Sequence, residues 1–258
     1  YLIILILCYI SISIYGIEKN YTLSGDMPYT IKNVKNMQNI NLTESKSQDF
    51  HNDYYFLTAS TLYKLKIFKT DLRLPDNLSN YLNDETKNII LVLYFLGIIS
   101  IIFFFISYYL LYKKIFKSKR GAIISCILII ILTETPLIRW SGLVSLHGLF
   151  YNFYLSQFFS FGFLFLGIYF IIEYIEKQKI SYFIISSLLI VITFLSHILT
   201  GMIILAILLG VIPYNQKKAI KIKLAIMFTI SFLAIHLWPF YSVSEYLKIT
   251  NAYILLAL

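Results

Sequence analysis

Between Ser181 and Ile212 the chain reads SYFIISSLLIVITFLSHILTGMIILAILLGVI, without a single Asp, Glu, Lys or Arg and with His197 and Gly201 near its centre. As one helix rising 1.5 Å per residue it would be roughly 48 Å long. A bilayer core is ~30 Å thick. One span would therefore need a tilt of about 50°, outside the usual range of up to about 40°. Two short spans joined by a tight turn at Ser196-His197 solve the length problem. Charge favours the same answer, since Lys177 and Lys179 precede the stretch and Lys217, Lys218, Lys221 and Lys223 follow it. Basic flanks favour the cytoplasm. A helical hairpin returns both to one side and sets His197 at the outer face.

Hydrophobic residues make up 59% of the chain and charged ones 14%, with a mean hydropathy of +0.74. Runs of this kind point to an all-α, polytopic helical membrane protein. They do not alternate as the strands of a lipid-facing barrel would. A net charge of +9 read alone suggests nucleic acid, but the lysines cluster in short inter-span loops, which excludes nucleic acid as the expected partner. Cys8 and Cys126 both lie in apolar runs, so neither a disulfide nor a cysteine metal pair is expected.

Spans are expected at about 2–17, 89–112, 121–138, 149–172, 180–196, 198–213, 224–240 and 252–258. Lys113–Arg120 carries five bases and no acid, which sets the inner end of span two. The long polar section 18–88 is then outside, Trp140 and Trp238 fall at the outer interface, and the protein is an integral, multi-pass membrane protein. Tyr1 opens inside an apolar run and NAYILLAL resembles the start of another span. The expectation is one transmembrane domain, 1–258, forming the N-terminal portion of a longer protein.

The outer section is patterned. Ile31, Val34 and Met37 recur about one turn apart after Pro28. Phe50, Tyr54, Leu57, Thr61, Leu65 and Phe68 lie along one helical face, flanked by Lys64, Lys66 and Lys69. That is the pattern of interfacial amphipathic helices. Three N-x-[ST] sequons at Asn20, Asn41 and Asn77 also fall here.

On this topology the four histidines, His51, His147, His197 and His236, share the outer side with Glu134 and Arg139. The basic side offers only Lys and Arg with Glu173 and Glu176, and no site is expected there. Asp26, in SGDMPYTIKN, is a helix N-cap before Pro28, a general base at the membrane face, or both. Glu134 pairs with Arg139, or stands behind it and orients it toward a phosphate. Asn152, Ser156 and Ser160, with Gln157 beside them, form a stripe that serves helix packing or lines a cavity. No phosphate-binding glycine loop, C-x-x-C or H-E-x-x-H occurs.

Gly25–Asn36 (GDMPYTIKNVKN), Phe50–Leu65 (FHNDYYFLTASTLYKL) and Leu195–Leu205 (LSHILTGMIIL) resemble, in place and character, segments of the C-type multi-spanning membrane glycosyltransferases. That superfamily includes the oligosaccharyltransferases and protein mannosyltransferases. The first segment is similar to the acidic start of their first outer loop, and the second sits where a Tyr-Pro-Pro segment precedes an apolar helix. The third is similar to their His-Pro-Leu-Thr-Ala turn. The layout is also similar to membrane proteins labelled as related to 6-pyruvoyl-tetrahydropterin synthase, a label with no implication of pterin chemistry. Ile198 replaces the turn proline, Phe50-His51-Asn52 replaces Tyr-Pro-Pro, and Thr30 stands where a histidine is expected.

The resemblance implies a GT-C-like fold and an outward-facing transferase. It would move a sugar from a polyprenyl-phosphate-linked donor to an acceptor, with inversion. Asp26 would be the catalytic base. Arg139, His147 and His197 would hold the donor phosphate, supported by Glu134, His51 and His236. Asn152, Ser156 and Gln157 would line a lipid groove beside the aromatic-rich spans two and four. A divalent metal ion is an open alternative for the phosphate. The rival readings are a transporter or flippase of a lipid-linked substrate and a non-catalytic membrane protein.

Overall fold

The computed structural model describes residues 3, 6–7, 31–32, 34–35, 53–65, 84–132, 156–215 and 217–237. Within these the chain is helical, with no strand. The helices are α1 (Asp53–Lys64), α2 (Asp84–Phe116), α3 (Lys119–Leu132), α4 (Ser156–Lys177), α5 (Ile180–Ser196), α6 (Ile198–Tyr214) and α7 (Lys218–His236). Three of them are long and apolar enough to cross a membrane: α2, the Phe159–Lys177 part of α4, and α7. The other two apolar helices, α5 and α6, are the halves of the long run, and they meet at His197.

The α4 helix is central. It packs along α2 on one side and α5 on the other, with lesser contact to α6 and α1. Its interface with α2 is a ladder of rings: Phe103 on Phe163 (4.8 Å), Phe104 on Phe165 (5.5 Å) and Tyr108 on Phe165 (5.0 Å). Edge-on pairs of this sort stabilise an interface by ~0.5–1.5 kcal/mol each beyond simple burial. Phe103 matches Phe163 and Lys114 matches Glu173, so α2 and α4 run in the same direction. The α5 helix runs against them, with Phe183 on Tyr174 at one end and Thr193 beside Ser160 at the other.

Three short turns gather at one end of this bundle, because α2–α3, α4–α5 and α6–α7 are each joined by two or three residues. Two of the turns use a left-handed residue, Lys117 (φ 52) and Gln178 (φ 55). Gln178 offsets that strain by capping its own helix. Its backbone N–H donates to Tyr174 O at 2.8 Å, and its side-chain amide donates to Tyr174 O and Ile175 O, both at 3.0 Å. These are carbonyls that a helix end otherwise leaves without partners.

Several boundaries differ from the expected spans. The basic loop expected at Pro213–Lys223 shrinks to residues 215–217, because Pro213 sits within the last turn of α6 and α7 begins at Lys218. The α2 and α4 helices extend past their apolar runs to Phe116 and Lys177, carrying charged residues out of the apolar zone as continuous helix. The aromatic faces of spans two and four, expected as walls of a lipid groove, pack on one another instead; Phe104, Phe105, Phe161 and Tyr108 are all buried. The α1 helix meets the bundle through Ala59 and Ser60, both buried, while Thr61 and Leu65 on the expected apolar face are exposed. Upstream, Ile31 and Val34 are buried, and Lys35 pairs with Glu85 (3.1 Å) and donates to Thr86 (3.2 Å) at the start of α2. That contact ties part of the polar section to the end of the bundle opposite the three turns.

Candidate functional site

At the end opposite the three basic turns, one residue serves two helices. His197 is extended (φ −163, ψ 114). Its N–H donates to Thr193 O at 3.0 Å and closes α5, while its carbonyl accepts from the Gly201 N–H at 2.9 Å and opens α6. Its Nδ1 accepts from the Thr200 N–H at 3.4 Å and lies 2.9 Å from Thr200 Oγ1. A backbone N–H can only donate, so Nδ1 carries the lone pair and the ring proton sits on Nε2. Burial pushes the imidazole pKa below its ordinary value of 6.5, which keeps the ring neutral at pH 7. Imidazole is an uncommon N-cap, but it supplies the acceptor that Ser, Thr or Asp usually provides.

The surroundings are polar and closed. Thr193 O also accepts from Ser160 Oγ of α4 at 3.1 Å. Ser160, Thr193, Ser196 and Thr200 are all buried. A Cβ on Gly201 would overlap the Phe194 Cα, so only glycine lets α5 and α6 approach this closely. The result is a hydroxyl-rich junction of α4, α5 and α6 with a neutral imidazole at its edge. Among the described residues, His197 Nε2 has no hydrogen-bond partner. Beside it on α6, Leu199, Met202 and Ile203 are exposed, so an exposed apolar face begins two residues from His197 along the chain.

The predicted site residues divide clearly. His197 and His236 lie at this same end of the bundle, since α7 finishes there; His236 is exposed and stacks on Phe232 at 5.1 Å. Ser156 and Gln157 lie in the first turn of α4, one turn beyond Ser160 toward the same end; nothing is described of their side chains. Ser160, the third member of that stripe, packs helix on helix. Asp26, His51, Glu134, Arg139, His147 and Asn152 lie outside the described residues. No group of three or more His, Cys, Asp or Glu side chains able to hold a metal ion occurs among the described residues.

The basic end, where no site was expected, holds a buried carboxylate. Glu173 is 3% exposed and lies between two ammonium groups. Lys114 of α2 approaches at 2.7 Å, and Lys177, one turn on, completes the pair. Lys114 also binds Glu176 at 2.5 Å. The Glu173–Lys177 spacing, four residues on one helix face, was legible. The cross-helix partner was not, because it depends on how far α2 slides along α4. Elsewhere in α2, Asn88 Oδ1 and Ser107 Oγ are buried with no hydrogen-bond partner among the described residues.

The chain matches no protein-family model, no curated protein and no solved structure.

Proposed function

We propose that the chain is a multi-pass membrane protein with its three lysine-rich turns in the cytoplasm, acting at the opposite, outer face as a glycosyltransferase. In this reading a sugar carried on a polyprenyl phosphate passes to an acceptor hydroxyl with inversion. The observation that carries it is the junction at His197. A neutral imidazole whose Nε2–H has no partner among the described residues stands at the end away from the basic turns, two residues from the start of an exposed apolar face. A lipid phosphate needs that combination, a hydrogen-bond donor at the membrane boundary and an apolar flank for its chain. Asp26 remains the residue assigned as base and Arg139 and His147 the further phosphate donors, on the strength of the sequence resemblance.

The test is sugar transfer from labelled polyprenyl-phosphate donors by the purified protein. Asp26→Asn should abolish transfer, and His197→Ala should lower it at least tenfold, with both variants inserted and extracted like the wild type. Full activity of the Asp26→Asn variant would remove Asp26 from the chemistry. Substrate-dependent uptake into sealed liposomes without any sugar transfer would replace the enzyme reading with the transporter one.

A further inference from the structure

The chain has an excess of nine positive charges, and three segments at one end of the bundle carry an excess of the same size. The segments Lys113–Arg120, Glu173–Lys179 and Lys217–Lys223 together hold eleven bases and two acids, so the rest of the chain balances to zero. The fold sets these three segments at the same end of the bundle, because each of them borders one of the short turns. The two acids are already occupied: Glu173 by Lys114 and Lys177, and Glu176 by Lys114. The remaining bases form no ion pair among the described residues, and all but Lys221 are exposed.

Helix stability accounts for Lys113, in the last turn of α2, but not for the bases at the helix starts. The α3, α5 and α7 helices all start at this end, where the helix dipole disfavours cations. Yet Lys119 and Arg120 open α3, and Lys179 and Lys217 occupy the N-cap positions of α5 and α7 without a side-chain capping bond. A residue chosen for the helix alone would be Ser, Asp or Asn. The same surface also exposes large apolar side chains between the cations: Phe116 (51%), Ile180 (71%), Tyr214 (91%) and Ile222 (51%). Mixed apolar and cationic side chains at the ends of apolar helices fit the boundary between acyl chains and headgroups. A soluble polyanion would leave the apolar members in water.

We propose that this end is a binding surface for anionic phospholipid headgroups of the inner leaflet. Lys117, Lys119, Lys179, Lys217, Lys218 and Lys223 engage lipid phosphates, and the interleaved apolar side chains lie against the acyl chains. Lys114 and Lys177 take no part, since Glu173 holds them. The proposal rests on the membrane reading above and is independent of sugar transfer.

The experiment uses the full chain in neutral detergent, titrated with phosphatidylglycerol or phosphatidylcholine, with bound lipid counted by native mass spectrometry. Each lysine at an anionic surface strengthens attachment roughly fivefold before salt screening. Phosphatidylglycerol should bind at least tenfold more tightly than phosphatidylcholine, and 0.5 M NaCl should erase the difference. The Lys217→Gln/Lys218→Gln/Lys223→Gln variant, which removes three of these six lysines, should weaken the preference at least about fivefold, while Lys32→Gln/Lys87→Gln, at the opposite end, should keep it. Matching helical content in both variants guards against misfolding. Equal binding of the two lipids, or full preference in the triple variant, would overturn the proposal. So would displacement of the lipid by millimolar inorganic phosphate, which would assign the cations to a soluble ion. Extraction of the protein from native membranes by carbonate would defeat the membrane reading itself; retention without headgroup preference defeats this inference alone.

Discussion

Lys114 Nζ of α2 lies 2.7 Å from Glu173 Oε1 of α4, joining two parallel helices through residues 59 positions apart along the chain. The contact fixes the register of α2 on α4, because the aromatic ladder above it is apolar and tolerates sliding more readily than an ion pair does. A carboxylate buried this far needs its partners.

Replacing Glu173 by Leu leaves Lys114 and Lys177 facing each other without the charge between them. The expected cost is about 2 kcal/mol, the range for hydrogen bonds to charged groups. Lys114→Met should couple to it, so that the double variant is less destabilised than the sum of the single ones by about 1 kcal/mol. Unfolding by denaturing detergent, followed by circular dichroism, measures all three. Additive effects would show that the pair is not energetically linked.

Gly201 and Gly210 lie on the same helix and should respond oppositely to alanine. At Gly201 a methyl group collides with the backbone of Phe194, which cannot move without shifting α5. Gly201→Ala should destabilise by about 1–3 kcal/mol, as overpacking does. At Gly210 a Cβ meets nothing within 4 Å, so Gly210→Ala should be neutral or stabilise by up to ~1 kcal/mol through helix propensity. Parallel melting curves decide the matter.

His197 should make stability depend on pH. Burial lowers its pKa in the folded protein below 6.5, so the unfolded chain binds the proton more readily. Stability from this group is complete above about pH 7, begins to fall as pH drops through 6.5, and is lost as pH reaches the lowered folded value. His197→Asn keeps a side-chain acceptor for the Thr200 N–H and should remove this component of the pH dependence. Melting temperatures from pH 5 to 8 for both proteins provide the check, and identical profiles would show that the imidazole does not titrate on unfolding.

Cysteine labelling should separate the two ends. In a Cys8→Ser background, His236→Cys should react with an impermeant maleimide added to intact cells, and Lys217→Cys only after permeabilisation. Cys126 is fully buried and contributes no background. The reverse pattern would invert the sidedness on which the outward-facing reading stands.

Length and charge spacing along Ser181–Ile212 were enough to require a break near His197, because a 30 Å apolar slab cannot hold so long an uncharged helix upright. The helical class and the clustering of lysines in short loops were legible for the same reason: both follow from local composition and period. Residue-by-residue partners were not legible. That Glu173 meets Lys114, that Gly201 lies against Phe194, and that the rings of α2 and α4 close on each other are consequences of helix register and rotation. Those are set by how whole faces interlock across distant stretches of chain. Composition can say that a helix has a polar stripe or an aromatic face; what that face meets is settled when the helices pack.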